Sequence, residues 1–431
     1  MTAKSRKGAL LGRLSGISKS GLWALVEQIS MPTLQLLLTV PLIYSVGLSG
    51  YGLWTFNLSL ASVLGAATPG IGMAATQLIS AEVDRTKRSA AISLIVFGGL
   101  AVSVLSGGIA FLLSSVVLRS HPPLIWTENN IDIVRFVLLA VLTAIALQWD
   151  MICAATLRAQ SRFKENALCE VSTRLFSIGS VATAGMLSFP LTQLLVINLL
   201  CIILRGGVKA FVATRGIEKF GLHEVLVLLS PAVHYAVLQW VNNISSLLYS
   251  SADRIVLGYF VPAEIVAVAS LCGEMNQQIQ SLPRAYFSPI LPELIRLDRA
   301  NDKVGFQTIL LRSSAAIKRI IIVLSLASIA FGPPLVLLLT QSSFMYQDLM
   351  VIYCSYTVSY VAIAMIIVPY FSLIGRGELR CANMLTIGGA VANLVAAVAL
   401  GSLLGAAGVA LGRIFYAVPF IPWRKWESTR T

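Results

Sequence analysis

Charged residues are scarce in this sequence. They make up 12% of its 431 residues, whereas a soluble domain carries roughly 25%. Hydrophobic residues make up 57%, and the mean hydropathy is +0.82. A chain with so few charges cannot cover a water-facing surface, so most of it requires lipid as its solvent. The composition excludes a large soluble domain and predicts a polytopic membrane protein.

Residues that build catalytic and metal sites are also few and scattered. The three histidines lie far apart, and none of the six cysteines forms a C-x-x-C pair, so no metal site is predicted. The P-loop, G-x-S-x-G and H-E-x-x-H motifs are absent. The sequence therefore predicts no ATP hydrolysis on this chain and no bound cofactor, and it favours a transporter over an enzyme.

Long apolar runs fill most of the chain. A bilayer core of about 30 Å requires about 20 apolar residues per helix. This rule predicts an all-α membrane protein with six spans in each half. They lie at residues 21–46, 53–79, 90–118, 134–157, 167–189 and 191–213, and at residues 226–248, 263–282, 320–340, 351–374, 384–403 and 405–421. The two predicted bundles (21–213 and 226–421) are joined by a linker (214–225) and flanked by tails (1–20 and 422–431).

Basic residues are distributed unequally between the two predicted faces. With a cytoplasmic N-terminus, 25 of the 32 Lys and Arg residues lie on the inner side, and three (Arg119, Arg135 and Arg254) lie outside. This bias predicts that both termini are cytoplasmic. It also attributes the net charge of +13 to the membrane-facing loops, so no nucleic-acid partner is predicted. The largest inner segment, 283–319, is amphipathic and basic, which fits either an interfacial helix on anionic lipid or a solvated linker.

The two halves show a weak internal repeat. Gly47 and Gly258 follow the first long helix of each half, and Pro32 and Pro231 lie inside those same helices. A proline within a span kinks it, and interrupted helices at matching positions of two repeats indicate a central site. Each proline also fits an ordinary kink.

Eight charged residues lie inside the predicted spans, beyond the first two residues at either end, where charges are costly and usually line a bundle interior or a wet cavity. They are Glu27, Asp150, Glu170, Arg174, Arg205, Lys209, Glu274 and Arg413.

The cations of this set predict a basic cavity. Arg205 and Lys209 are four residues apart and share one helix face, as do Glu170 and Arg174, which are spaced to pair. Arg174, Arg205 and Lys209 are predicted to bind a phosphate or pyrophosphate, since guanidinium offers forked donors. Arg413 is predicted to complete this cavity from the C-terminal half. The alternative is that the long side chains snorkel to the inner interface.

The acids of the set are predicted to serve ion coupling. Asp150 and Glu27 have short side chains that cannot reach water easily, so each either pairs with a cation or carries a coupling proton or sodium ion. Glu274 is assigned to the same group. The only cofactor-like requirement predicted is therefore an H⁺ or Na⁺ gradient.

Five short segments resemble the bacterial polysaccharide flippases of the Wzx type. They are residues 51–54 (YGLW), 251–260 (SADRIVLGYF), 286–292 (YFSPILP), 392–394 (ANL) and 404–410 (LGAAGVA). The resemblance implies the fold of the multidrug/oligosaccharidyl-lipid/polysaccharide exporter superfamily, with two six-helix bundles around a central cavity. It implies an undecaprenyl-pyrophosphate-linked oligosaccharide as substrate, flipped across the bacterial inner membrane for O-antigen, capsule or exopolysaccharide synthesis. The implied partners are membrane lipids and, in the same pathway, a polysaccharide polymerase and a chain-length regulator.

Two other functions remain open at the level of sequence. A multidrug exporter of the same superfamily would need a cavity that is acidic or aromatic, but four cations and four acids lie within these spans. A membrane enzyme of the polysaccharide pathway, such as a polymerase, would usually carry a large outer loop, and the longest one predicted here has about 15 residues. A lipid II flippase would share the chemistry but typically has two further helices.

Overall fold

The computed structural model describes residues 19–66, 71–72, 75, 78–79, 84–129, 131–218, 220–287, 290–340 and 346–421. Every regular element within these residues is a helix. Fifteen segments of α-helix are named here in chain order: α1 Lys19–Gly65, α2 Arg85–Ser93, α3 Gly99–Ser120, α4 Leu124–Glu128, α5 Ile133–Ala159, α6 Phe163–Met186, α7 Leu191–Thr214, α8 Leu222–Phe260, α9 Ala263–Asn276, α10 Gln278–Phe287, α11 Leu291–Arg299, α12 Lys303–Leu339, α13 Tyr346–Ala364, α14 Ile367–Gly375 and α15 Leu379–Gly412.

The protein is a multi-pass membrane protein. Among the described residues, seven helical segments are long and apolar enough to cross a bilayer by length and composition. Several join neighbouring elements: α2 and α3 are continuous through a π-helical turn at Leu94–Gly98, and the last span runs from α15 into a 3₁₀ turn at Arg413–Ala417. Helix α6, which carries Glu170 and Arg174, is not among the seven.

Two glycines join consecutive predicted spans without a loop. Gly47 (φ 73°) lies inside α1, and Gly405 (φ 57°) lies inside α15, and both are left-handed positions that favour glycine. A Cβ at Gly47 would meet no atom within 4 Å, so backbone conformation rather than space requires glycine there. The predicted equivalence of Gly47 and Gly258 is wrong with regard to backbone conformation, because only Gly47 interrupts its helix. Gly258 stays helical within α8, where the Phe56 ring packs directly against its Cα.

Three predicted boundaries are also wrong. Helix α1 ends at Gly65, so the predicted span 53–79 is not one continuous helix; residues 67–70 lie outside the described part of the chain. Much of the basic segment 283–319 is helical, because α12 begins at Lys303, where the Asp302 side chain caps it. Arg254, assigned to an outer loop, lies within α8. Backbone hydrogen bonds extend a helix past the apolar run that hydropathy detects.

Helix α1 holds the two halves of the chain together. It packs on α5 and α6, and α7 packs on both of these, while α15 packs on α8 and α13. Between the halves, α1 contacts α8 and α9. Ser270 donates a hydrogen bond to Thr55 across this junction (3.3 Å), and Gly52 lies so close to the Ala263 carbonyl that a larger residue would clash. The predicted boundaries of the two halves, the linker and the tails stay predictions.

A charged cluster and cavity as the candidate functional site

Five charged side chains meet between three helices of the first half. Helix α5 supplies Asp150, α6 supplies Glu170 and Arg174, and α7 supplies Arg205 and Lys209. The pairs on α6 and α7 are each four residues apart, so both members of a pair project from one helix face. We call these five residues the N-terminal cluster.

Ion pairs connect every member of the N-terminal cluster. Arg205 Nε donates to Asp150 Oδ2 (2.9 Å), and its Nη1 lies 3.6 Å from Glu170 Oε1. Lys209 Nζ lies 2.8 Å from Asp150 Oδ1 and also pairs with Glu170 Oε2. Arg174 Nε donates to Glu170 Oε1, which confirms the pairing predicted from their spacing. Both carboxylates are therefore ion-paired with cations of a neighbouring helix, α7.

The charges of the N-terminal cluster do not cancel. Among the side chains that the structure describes here, three cations face two carboxylates, so these five residues sum to a formal charge of +1. Asp150, Glu170, Arg205 and Lys209 are all buried, whereas Arg174 is partly exposed. In a low-dielectric surrounding a unit charge exerts a strong field, so the surplus favours an anion beside the cluster.

A cavity of about 230 Å³ lies directly beside these cations. Arg174 and Arg205 form part of its wall, with the polar side chains of Ser62, Thr173 and Asn198. Leucine and isoleucine side chains form much of the remainder. The cavity thus combines guanidinium donors for an anionic group with hydroxyl and amide groups that can bind sugar hydroxyls, against an apolar background.

The structure divides the four predicted substrate-binding cations. Arg174 and Arg205 line the cavity, as their predicted role requires. Lys209 does not line the cavity: its side chain is 1% exposed and forms ion pairs with Asp150 and Glu170. Arg413 lies in the other half of the chain and is not among the residues that line this cavity, so its predicted role in substrate binding stays a prediction.

The predicted ion-coupling acids are likewise separated. Asp150 belongs to the N-terminal cluster, and the side chain of Glu27 lies outside the described residues. Glu274 lies on α9 in the second half and does not line the cavity. It accepts hydrogen bonds from Arg254 Nη2 (3.3 Å) and from the Tyr51 hydroxyl (3.4 Å). Tyr51 belongs to α1, so this contact joins the two halves. The coupling role of all three acids stays a prediction.

Arg413 belongs to a second group of charges. The sequence pattern points to Arg413 and Glu274 separately but does not indicate that they belong to one group with two further charged residues. Arg413 Nη2 lies 3.4 Å from Asp253 Oδ2, and its guanidinium stacks over the ring of Tyr360 at 4.9 Å. Asp253 precedes Arg254 on α8, and Arg254 pairs with Glu274. We call Asp253, Arg254, Glu274 and Arg413 the C-terminal cluster. The sequence contains a signal for this group, since Asp253 and Arg254 lie next to each other in an otherwise uncharged stretch. The signal was overlooked because an outer loop was predicted where the 39-residue helix α8 continues.

Solved transporter structures share this fold. The chain superposes with a TM-score of 0.70 on the lipid II flippase MurJ in an inward closed conformation, at 12% identity over 96% of this chain and 87% of that chain. A multidrug-resistance MATE transporter of the MOP superfamily, in an inward-facing conformation, gives 0.67 at 16% identity over 94% and 97%. The Vibrio cholerae MATE transporter VcmN gives 0.63 at 14% identity over 96% and 95%.

These similarities are to folds and not to sequences. No protein-family model matches the sequence, and no curated protein matches it. The predicted fold class is confirmed at the level of fold: the described residues form an all-α membrane protein whose fold is shared with the MATE transporters and MurJ.

Proposed function

We propose that this protein flips a lipid-linked oligosaccharide across a bacterial inner membrane and binds it through its pyrophosphate. The observation that carries the proposal is the cavity wall formed by Arg174 and Arg205, whose cluster has a surplus positive charge. The fold supports a transporter of this kind, because one of its structural neighbours is a lipid II flippase. Undecaprenyl pyrophosphate is the lipid carrier that the resemblance to Wzx-type flippases implies.

The arrangement suggests how a phosphate would bind. Arg205 is shared between Asp150 and Glu170, and Arg174 is held by Glu170. A phosphate in the cavity would compete with these carboxylates for forked guanidinium donors. Lys209 contacts both acids, so it would offset part of their charge while the arginines turn toward the substrate. The saccharide would then contact the hydroxyl and amide side chains, and the polyprenyl tail would stay in lipid.

Transport would proceed by alternating access of the two bundles. Both termini would be cytoplasmic, as the distribution of basic residues predicts. A proton or sodium gradient would drive the cycle, with Asp150, Glu27 and Glu274 as the coupling candidates. A polysaccharide polymerase and a chain-length regulator would act on the product at the outer face.

A multidrug exporter is the second candidate, and the structural likeness to MATE multidrug transporters favours it. Such a protein that bound organic cations would need a neutral or acidic cavity. The positive cavity wall is the observation that separates the two functions, because Arg174 and Arg205 would repel a cationic drug.

Deletion of the gene in its own host tests the proposal. We expect undecaprenyl-linked repeat units to accumulate at the cytoplasmic face and surface polysaccharide to be lost. Complementation with Arg174→Ala should fail, whereas Arg296→Ala, which removes an exposed charge on α11, should restore export. Unchanged polysaccharide together with higher sensitivity to cationic drugs would instead identify a multidrug exporter.

A further inference from the structure

A second basic site lies at one end of the first bundle, away from the cavity. It is a cleft of about 300 Å³ between the start of α2, the turn after α5 and the segment that follows α7. Arg85, Arg88, Arg162 and Arg215 line it, and Glu218 is the one acid in its wall. We call this the basic cleft. None of its residues belongs to either charged cluster.

Hydrogen bonds between three chain segments build the wall of the basic cleft. Arg162 Nη1 donates to the Val212 carbonyl (2.6 Å), and Gln160 Nε2 donates to the Ala213 carbonyl (3.0 Å), so the turn after α5 caps the end of α7. The Glu218 backbone N–H donates to Ser89 Oγ of α2 (3.2 Å). These bonds fix the three chain segments of the cleft relative to one another and hold the Arg162 side chain in its wall.

A residue with positive φ lies in each of the two turns that border the cleft, the turn after α5 and the turn after α7. Ser161 (φ 62°) follows α5, and Gly216 (φ 86°) follows α7. A non-glycine residue in this conformation costs about 1–2 kcal/mol and persists when the surrounding contacts fix it. Here the contacts are those that hold Gln160 and Arg162 on the end of α7.

The charge of the basic cleft is strongly positive. Four guanidiniums and one carboxylate line it, and Arg162 Nε also lies 3.4 Å from Glu165 Oε1, so these six side chains carry a formal charge of +2. The Arg85–Glu218 pair is 3.7 Å long, and its side chains are 87% and 50% exposed, so it offsets little of this charge. Repulsion among the arginines is relieved by an anion placed between them, and a phosphate can accept forked bonds from more than one guanidinium.

The position of the cleft matches the headgroup layer of a bilayer. It lies at the ends of α5 and α7, nine residues beyond Asp150 and Arg205 respectively, which is about 14 Å along each helix axis. Ile92 and Ile217 give it an apolar edge beside the arginines. A ligand that suits both surfaces has a phosphate joined to an acyl or prenyl chain.

We propose that the basic cleft binds the phosphate of a lipid headgroup. The phosphate has two sources, a resident anionic phospholipid or the pyrophosphate of an incoming polyprenyl-linked substrate. The first source rests only on the membrane location, whereas the second rests on the proposed function. In the second case α5 and α7 carry both sites, and the cleft holds the substrate before it reaches the cavity.

Lipid binding to the full-length protein tests this proposal without measuring transport. Detergent-purified protein is titrated with phosphatidylglycerol, undecaprenyl pyrophosphate and the zwitterionic phosphatidylcholine, and bound lipid is counted by native mass spectrometry. The cleft variant is Arg85→Gln/Arg88→Gln/Arg215→Gln, which keeps Arg162 and its bond to α7. The matched control, Arg312→Gln/Lys318→Gln/Arg319→Gln, removes the same charge from exposed positions of α12.

We expect the cleft variant to bind one anionic lipid about tenfold more weakly than the wild type, with the control unchanged. Loss of phosphatidylglycerol binding identifies the phospholipid as the ligand, and loss of undecaprenyl pyrophosphate binding identifies the substrate. An equal loss in both triple variants, or no preference of the wild type over phosphatidylcholine, would overturn the proposal. Arg174→Ala should keep the cleft lipid while it loses transport, so failure of the two proposals can be told apart.

Discussion

The two charged clusters contain similar residues but differ in charge balance. In the N-terminal cluster three cations face two acids, and two of the cations line a cavity. In the C-terminal cluster two cations face two acids, and none of the four residues lines that cavity or the basic cleft. The number of buried charges is therefore a poor guide to a binding site, whereas the surplus charge next to open space is informative.

The surroundings of the C-terminal cluster fit a structural role. Arg413 lies over two tyrosine rings, Tyr360 at 4.9 Å and Tyr356 at 5.9 Å, which occupy the volume that a ligand would need. Glu274 and Tyr51 bond across the two halves of the chain. Balanced charges and aromatic packing fix helices α8, α9 and α15 relative to α1, so we expect variants here to affect folding before they affect binding.

The largest effect should come from breaking the balanced cluster. Arg413→Met leaves the buried Asp253 without its ion-pair partner, and loss of one member of a buried pair costs about 3–5 kcal/mol. We expect a loss of monodisperse protein in a thermal-stability assay by size-exclusion chromatography. The double variant Asp253→Leu/Arg413→Met should recover much of the stability. A single variant as stable as the wild type would show that the balance is unimportant.

The next effect concerns Arg174, the partly exposed cation of the N-terminal cluster. Arg174→Ala removes a partly exposed guanidinium from the cavity wall, while Arg205 and Lys209 still neutralise Glu170. A hydrogen bond to a charged group is worth about 1.5–3 kcal/mol, so affinity for the anionic substrate should fall about tenfold to a hundredfold. Binding of undecaprenyl pyrophosphate to protein in nanodiscs measures this change. Arg174→Lys should retain part of the affinity, and protein yield should be normal in both variants.

A smaller effect on substrate binding should follow when the net positive charge beside the cavity is offset by a new carboxylate and every cation is kept. Asn198→Asp is nearly isosteric and places a carboxylate in the cavity wall. A unit charge about 10 Å from the ligand changes its binding by about 1–2 kcal/mol at an effective dielectric of 20, so the pyrophosphate should bind about tenfold more weakly. Asn198→Ser is the neutral control. If Asn198→Asp binds the anion as well as the control does, charge balance does not select the substrate.

The smallest effect should come from the contact between the halves. Tyr51→Phe removes the hydroxyl that contacts Glu274 (3.4 Å) and Thr39 (3.3 Å) and leaves the buried ring in place, so stability should fall by about 1 kcal/mol. Because the contact with Glu274 joins the halves, we expect the native Cys272, which is fully buried on α9, to become more accessible to a membrane-permeant thiol reagent. Thr55→Val, which removes the other interhalf hydroxyl contact, should act in the same direction.

Much of the fold could be predicted from the sequence because lipid imposes one rule on every span. Apolar length predicted α5 and α7 to within two residues at each end. It failed where helices continue past the predicted apolar run, as at the start of α12 and the end of α8. It also missed the end of α1 at Gly65, because small apolar residues continue past it.

The site was harder to predict because pairing depends on how helices are rotated. The spacing of Glu170 and Arg174 predicted their contact, since both lie on one helix. The contacts of Arg205 with Asp150 on α5 and of Arg413 with Asp253 on α8 connect helices, and nothing in the local sequence specifies which faces meet. Arg254 was missed because a charge near a predicted span end was assigned to a loop.

The ion pairs of α6 have a consequence for the assembly of the protein during synthesis. By length and apolarity α6 is not among the segments able to cross a bilayer, while its neighbours α5 and α7 are. Transfer of a single helix that carries Glu170 and Arg174 into lipid would have a high free-energy cost, because Glu170 would lack its partners on α7. Asp150 precedes these two residues in the chain, and Arg205 and Lys209 follow them, so the N-terminal cluster is completed by residues of both neighbouring helices. We therefore expect α5, α6 and α7 to enter lipid together, and a change in the charge of any of them to lower the efficiency of membrane insertion.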